Sequence, residues 1–203
     1  MSQTSNRISL GRALAWILVL TLCPLLALVS WYGYIQWGGN FHEVLPQELY
    51  RSAQLSADQL EQRVEEQHLK SILNLRGVNP GEAWFDDEMR VSNAHHLNHF
   101  DVALSAGTVV TPEQIQNILQ TIDQAPKPLL VHCTDGADRT GLVLSLYLEK
   151  RGFDAQNAQE QLSWHYGHFP HLRWSFTKAM DESYEGYEKF LHEGSSSKPP
   201  ITQ

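Results

Sequence analysis

The stretch Leu129-Leu130-Val131-His132-Cys133-Thr134-Asp135-Gly136-Ala137-Asp138-Arg139-Thr140-Gly141 runs from three apolar residues into a short polar loop. Leu142, Val143, Leu146 and Tyr147 then recur at helical spacing. A short apolar run bounded by turn residues reads as a buried strand, and the spacing after Thr140 reads as an amphipathic helix. Strand, tight loop and helix form a cradle for an anion. Successive backbone N–H groups of such a loop converge, and the helix adds unsatisfied amides and the positive end of its dipole. A tetrahedral dianion such as a phosphoryl group fits that field.

The same field favours the thiolate form of Cys133, the nucleophilic form of cysteine. Arg139 follows closely enough to curl back over the loop. Its planar fork would serve two phosphate oxygens, with most benefit as charge shifts in the transition state. Thr140 is placed to donate its hydroxyl to the sulfur as it departs, and Gly136 relieves crowding where the backbone turns. His132 is read as a brace rather than a proton carrier, and Asp138 as holding the loop's shape or orienting Arg139. Thr134, Asp135 and Ala137 complete the cradle. Cys and Arg at a fixed offset are a weak signal alone; the strand before and the helix after make it specific.

Working outward, strand and helix patterns alternate. Residues 48–52 read as a short strand, followed by a helix whose Ser56 and Gln59 form a capping box ahead of Leu60 and Val64. A strand over 69–75, a loop over 76–81 containing Asn79-Pro80-Gly81, a helix over 82–93 and a strand over 96–100 come next. Thr111, Pro112 and Gln114 start another helix through Ile122. Helical material is expected through Trp164 and from about Trp174 to Leu191, and residues 194–203 are too poor in apolar side chains to pack. The alternation predicts an α/β domain over residues 40–193, with a central, mostly parallel sheet flanked by helices.

The N-terminal region differs. Beyond a short tail, residues 1–12, no Asp, Glu, Lys or Arg occurs from 13 to 34, and residues 13–36 are expected to be a transmembrane helix and the contact with a lipid bilayer. The charge-free run makes a helix of about 33 Å, against a hydrocarbon thickness of about 30 Å. Trp31, Tyr32, Tyr34 and Trp37 crowd its far end, while Arg7 and Arg12 lie at its near end and every acidic residue follows it. That asymmetry predicts a single-pass protein with a cytoplasmic N-terminus and the body outside, periplasmic if the source is a Gram-negative bacterium. A cleaved signal peptide and a buried core helix are the alternatives. Ala27-Leu28-Val29-Ser30 lacks a small-x-small cleavage pattern and bulky aromatics follow, which favours an anchor.

The net charge of −8 and the lack of a basic stripe exclude nucleic acid as a partner. The two cysteines, Cys23 and Cys133, stand in different regions, so neither is a staple within a domain. His95, His96 and His99, and then His165, His168 and His171, are assigned surface or packing roles. Pro170 breaks the second set, and no metal or cofactor is expected. Arg76 either reaches the loop's side of the sheet or bonds nearby groups. Trp164, Tyr166, Phe169 and Trp174 either line a substrate cleft or pack against the final helix, and packing is the favoured reading.

Residues 132–141 resemble the signature loop of the dual-specificity branch of the cysteine-dependent protein tyrosine phosphatase superfamily. Leu49-Tyr50-Arg51-Ser52-Ala53-Gln54 and Ile72-Leu73-Asn74-Leu75-Arg76 are similar to the early strands of its atypical bacterial, plant and fungal members, so the likeness covers residues 43–190. The resemblance implies a phosphomonoester hydrolase with a phosphocysteine intermediate on Cys133 and Arg139 as phosphate clamp. It also implies an acid from a loop after the strand preceding Thr111, and Asp101 stands there, as far ahead of the cysteine as in tensin-type phosphatases. The same carboxylate then serves as base toward water. Asp135 and Asp138 depart from the lysines of many lipid-directed relatives and resemble the myotubularin loop, which makes Asp135 the alternative acid. The implied substrate is a phosphoprotein, a phospholipid or an envelope sugar phosphate. A membrane-tethered pseudophosphatase and a sulfurtransferase or arsenate reductase are the other readings, and the Arg139-Thr140-Gly141 ending favours a phosphatase over the last pair.

Overall fold

A computed structural model describes residues 10–170 and 177–196. The chain forms two compact units that divide between Trp37 and Gly38. The first is the helix α1 (Leu10–Trp37). Its portion Gly11–Ile35 is long and apolar enough to cross a membrane, with a mean hydropathy of 2.4. Pro24 lies inside it, as apolar helices tolerate.

The second unit opens with β1 (His42–Leu45), β2 (Leu49–Ser52), α2 (Ala57–Gln67) and β3 (Ser71–Asn74). Next come α3 (Ala83–Ala94), β4 (Asn98–Asp101), α4 (Pro112–Gln124), β5 (Leu129–His132) and α5 (Asp138–Lys150). It ends with α6 (Ala155–Gln159), a 3₁₀ turn (Trp164–Tyr166) and α7 (Lys178–Ser196). The five-stranded sheet has the order β1-β2-β5-β3-β4. Only β1 runs antiparallel to its neighbour, so the fold is the expected α/β one.

Successive strand residues face opposite sides, and both sides are covered, so Ile72 and Leu73 of β3 and Leu129, Leu130 and Val131 of β5 are apolar on both faces. Leu73, Leu129 and Val131 join Ile118, Ile122, Leu142, Leu146 and Met180 in the larger core. Ile72 and Leu130 face the other way, onto Leu60, Val64 and Val91 of α2 and α3. Full burial of each such side chain stabilises by roughly 1.5–3 kcal/mol. Both capping boxes form, Ser56 with Gln59 and Thr111 with Gln114.

Several boundaries differ from expectation. The strand expected over 96–100 is Asn98–Asp101, because His96 leaves the preceding helix at φ +55° and extended pairing starts beyond it. Asp101 is therefore the last strand residue rather than the first of the loop. The helix after the cradle starts at Asp138, and only the short α6 and the 3₁₀ turn fill the region before Gly167. The final helix starts at Lys178 and continues to Ser196, past the expected tail boundary. Arg7, His171, Trp174 and residues 197–203 lie outside the described residues. The strand β1 had no counterpart in the sequence reading.

Register places Ser52, His132, Asn74 and Asp101 in one row across the carboxyl ends of β2, β5, β3 and β4. The loop that begins at Cys133 leaves from this edge, the usual place for a ligand in an open α/β sheet.

Candidate active site

The cradle is a crowded turn. Gly136 has φ +68°, and a Cβ there would lie 2.5 Å from the Ser52 carbonyl carbon and 2.6 Å from the Ala53 nitrogen, so no other residue fits. Cys133 is buried at the base. Gly141 lets α5 approach the backbone of Gln161, which a Cβ would meet at 2.7 Å.

Donors from outside fix the loop's carbonyls. The Gln54 N–H donates to the Thr134 carbonyl at 3.0 Å, and Arg51 Nη2 donates to the Gly136 carbonyl at 2.5 Å. In a planar trans peptide the next N–H points away from the carbonyl. Carbonyls drawn outward therefore turn the amides of Asp135 and Ala137 inward. Arg51 itself is fully buried, donates from Nη1 to the backbone and side chain of Gln161 at 2.8 Å, and lies 3.6 Å over the Tyr166 ring. Burial lowers its pKa to about 10 against the pull of Tyr166 and Cys133, which leaves it cationic at neutral pH.

Arg139 folds back as its position in the sequence suggested. Its Nη2 donates to Thr134 Oγ1 at 2.7 Å, and Nη1 to the carbonyls of Leu104 at 3.1 Å and Leu75 at 3.3 Å. Three elements thus aim one guanidinium: the loop itself, the exit of β3 and the segment after β4. Arg139 Nε and the Thr140 hydroxyl are buried with no hydrogen-bond partner among the described residues. The expected bond from Thr140 to the cysteine sulfur is not made here.

A buried polar chain lies on the other side of His132. Its Nε2 meets Glu88, at 3.2 Å from Oε1 and 3.1 Å from Oε2. His99 Nε2 lies 2.9 Å from Glu88 Oε1 and its Nδ1 3.2 Å from Asp101 Oδ2, while Asn74 Nδ2 donates to Asp101 Oδ1 at 2.8 Å. Gln54 Nε2 donates to Glu88 Oε2 at 2.7 Å. Burial would raise the Glu88 pKa, but His132, His99 and Gln54 outweigh it and hold the carboxyl below its ordinary range. Burial likewise opposes charge on His99, and Glu88 and Asp101 outweigh that and raise its pKa. Carboxylates facing both ring nitrogens favour the protonated form of His99, in which each nitrogen donates.

The loop's aspartates divide. Asp138 Oδ1 lies 2.6 Å from His168 Nδ1, whose other nitrogen lies 3.1 Å from Asp181 Oδ2. Burial opposes the charge on His168, but hydrogen bonds to both carboxylates raise its pKa to about 9. Asp138 therefore ties the loop to α7 through His168. Burial and then Asp138 raise the Asp135 pKa, against Arg139 and Arg76.

Arg76 does both things considered for it. Nη1 donates to Gln54 Oε1 at 2.9 Å and the guanidinium lies 3.4 Å over the Trp84 ring, while burial and the nearby charge of Arg139 lower its pKa. Trp164 is 64% exposed, contrary to the expected packing against α7, because the 3₁₀ turn points it outward. Tyr166 is half-buried beneath Arg51. Sequence reasoning gave no role to Arg51, Gln54 or Glu88. For Glu88 a signal existed: it sits between Phe85 and Val91 on the buried face of α3, where a charge needs a partner.

No curated protein matches the sequence. Among solved structures, TpbA of P. aeruginosa in complex with phosphotyrosine is similar at 20% identity and a TM-score of 0.59, over 79% of this chain and 92% of that one. The core catalytic domain of the S. cerevisiae PP-IP phosphatase SIW14, in complex with citrate, is 20% identical, with a TM-score of 0.57 over 79% and 94%. Tk-PTP in its active form is 18% identical, with a TM-score of 0.52 over 68% and 92%. These likenesses show the fold. The model of the PTP-SAK family, described as Swiss Army Knife protein, DSP-PTPase phosphatase domain, matches residues 40–183. The cradle and the sheet that carries it lie inside that match, and the chain belongs to this family of cysteine-dependent, dual-specificity-type phosphatases.

Proposed function

We propose that the site hydrolyses phosphate monoesters in two steps through Cys133. The thiolate attacks phosphorus, a P–S bond forms, the ester P–O bond breaks, and the leaving oxygen takes a proton from a carboxylic acid. Water then attacks, the P–S bond breaks, and the carboxylate takes the water's proton. Arg139 clamps two of the three equatorial oxygens, the amides of residues 134–139 surround all three, and Thr140 donates to the departing sulfur. The observation that carries this reading is the Arg139 guanidinium, fixed by Thr134, Leu75 and Leu104 over a loop whose carbonyls are drawn outward.

The acid is one of two carboxylates. Asp135 is favoured, since burial and the neighbouring Asp138 raise its pKa, the direction a general acid needs. Asp101 is the second reading, supported by its place at the end of β4, next to the segment that bonds Arg139. Against it, one of its oxygens already accepts from Asn74 and the other lies 3.2 Å from His99 Nδ1.

The helix α1 supports membrane tethering, with the N-terminus in the cytoplasm and the phosphatase domain outside. Substrates are then phosphate esters at or near a bilayer: a phosphoprotein, a phospholipid or an envelope sugar phosphate. The acidic loop disfavours clusters of phosphates, each of which wants its own cation. The full chain in detergent should hydrolyse p-nitrophenyl phosphate, and Cys133→Ser should abolish turnover while retaining ligand. Unchanged activity in Cys133→Ser would remove the nucleophile assignment. Tight ester binding without release in wild type would favour a pseudophosphatase, and sulfur transfer from thiosulfate a sulfurtransferase.

A further inference from the structure

We infer that Asn40, three residues beyond the end of α1, is a positioning residue for the phosphate cradle. The inference rests on the phosphatase reading of the site. Asn40 is 2% exposed, and its Nδ2 donates to the carbonyls of Asp135 and Tyr166, each at 2.9 Å. Its Oδ1 lies 3.1 Å from His42 Nε2. Burial, then Arg51 and His165, lower the His42 pKa to about 4, so that ring is neutral at pH 7 and donates from Nε2. Two carbonyls and one N–H leave a single satisfied orientation for the amide: nitrogen toward the loop.

The consequence follows from peptide geometry. Three consecutive loop carbonyls are held from outside: Thr134 by the Gln54 N–H, Asp135 by Asn40 and Gly136 by Arg51. Because the peptides are planar and trans, these bonds turn the amides of Asp135, Gly136 and Ala137 the opposite way, into the cradle. Asn40 governs the middle amide of the three. A short circuit closes behind it, since the Gly39 carbonyl accepts from the Ala53 N–H at 2.7 Å and the next residue, Gln54, holds Thr134. The local backbone favours asparagine here, because Gly39 and Asn40 have φ +69° and +47° and asparagine is among the few side chains that adopt such a conformation readily.

Asn40→Gly keeps that backbone unstrained and removes only the amide. In the full chain in detergent it should weaken competitive inhibition by orthovanadate by about 10–100-fold. It should lower kcat/KM for p-nitrophenyl phosphate by a similar factor. Asn40→Asp, which turns a second oxygen toward two carbonyls, should lose at least as much. Val64→Ala, in the core beneath α2, supplies the control for stability: it should lower the thermal midpoint and leave the vanadate constant unchanged. Wild-type vanadate affinity in Asn40→Gly overturns the inference, whatever happens to its thermal midpoint. Wild type that binds vanadate but turns over no ester overturns the phosphatase reading, and the Asn40→Gly comparison still decides this one.

Discussion

Glu88 occupies a position where an amphipathic helix normally carries a leucine, and it survives there because His132, His99 and Gln54 all approach its carboxylate. Removing its charge leaves two buried histidines facing an amide, and breaking a buried pair costs about 3–5 kcal/mol. Glu88→Gln should therefore lower the thermal midpoint sharply. The pH dependence has a sign. A depressed carboxylate contributes above its unfolded pKa of about 4.3, and a raised histidine below its unfolded value of about 6.5. The gap between wild type and Glu88→Gln should be widest between those values and shrink as pH rises through the folded pKa of His99 or falls below about 4. A gap independent of pH would show that the network is not ionised as described. The acid is tested at the same scale: Asp135→Asn should remove the alkaline limb of the kcat profile, and removal by Asp101→Asn instead would give that role to Asp101. Arg139→Lys keeps the charge but loses the planar fork, and should cost about 10²–10³-fold in kcat.

Elements were legible where the signal is local. The strand, loop and helix around Cys133 are contiguous, and both capping boxes are four-residue patterns, so periodicity and caps sufficed. The bonds that shape the loop are not local: Arg51 and Gln161 are 110 residues apart, and Asn40 and Asp135 are 95 apart. Nothing in a window of sequence pairs them. The strand β1 is four residues long with a half-exposed pattern, and the start of β4 depends on the left-handed turn at His96. The link from α5 to α7 through His168 was equally hidden, since a histidine among others in a loop shows nothing of Asp138 and Asp181. Its folded pKa is raised to about 9, so its contribution is complete below about pH 6.5 and is lost as pH rises through 9. Thermal midpoints should fall across that interval, and His168→Gln should flatten the fall. An equal fall in the variant would assign the effect to another group.

At the scale of the whole chain, one asymmetry of the sequence predicts how the phosphatase domain meets its substrates. Arg7 and Arg12 precede the apolar span and the acidic body follows it, with Trp31, Tyr32, Tyr34 and Trp37 at the junction. Basic residues within about 15–20 positions of a span resist translocation, whereas acidic ones contribute little, so the proposed orientation rests on the two arginines. A reporter that is active only outside the cytoplasm, fused after Gln203, should be active with the wild-type chain. Replacing both arginines by glutamate should reduce that activity by more than half. The same samples decide between anchor and cleaved leader, because an N-terminal tag should stay with a product of at least the full 23.1 kDa in the membrane fraction. An inactive wild-type reporter would place the cradle in the cytoplasm, where envelope sugar phosphates are out of reach and phosphoproteins or inner-leaflet lipids become its substrates.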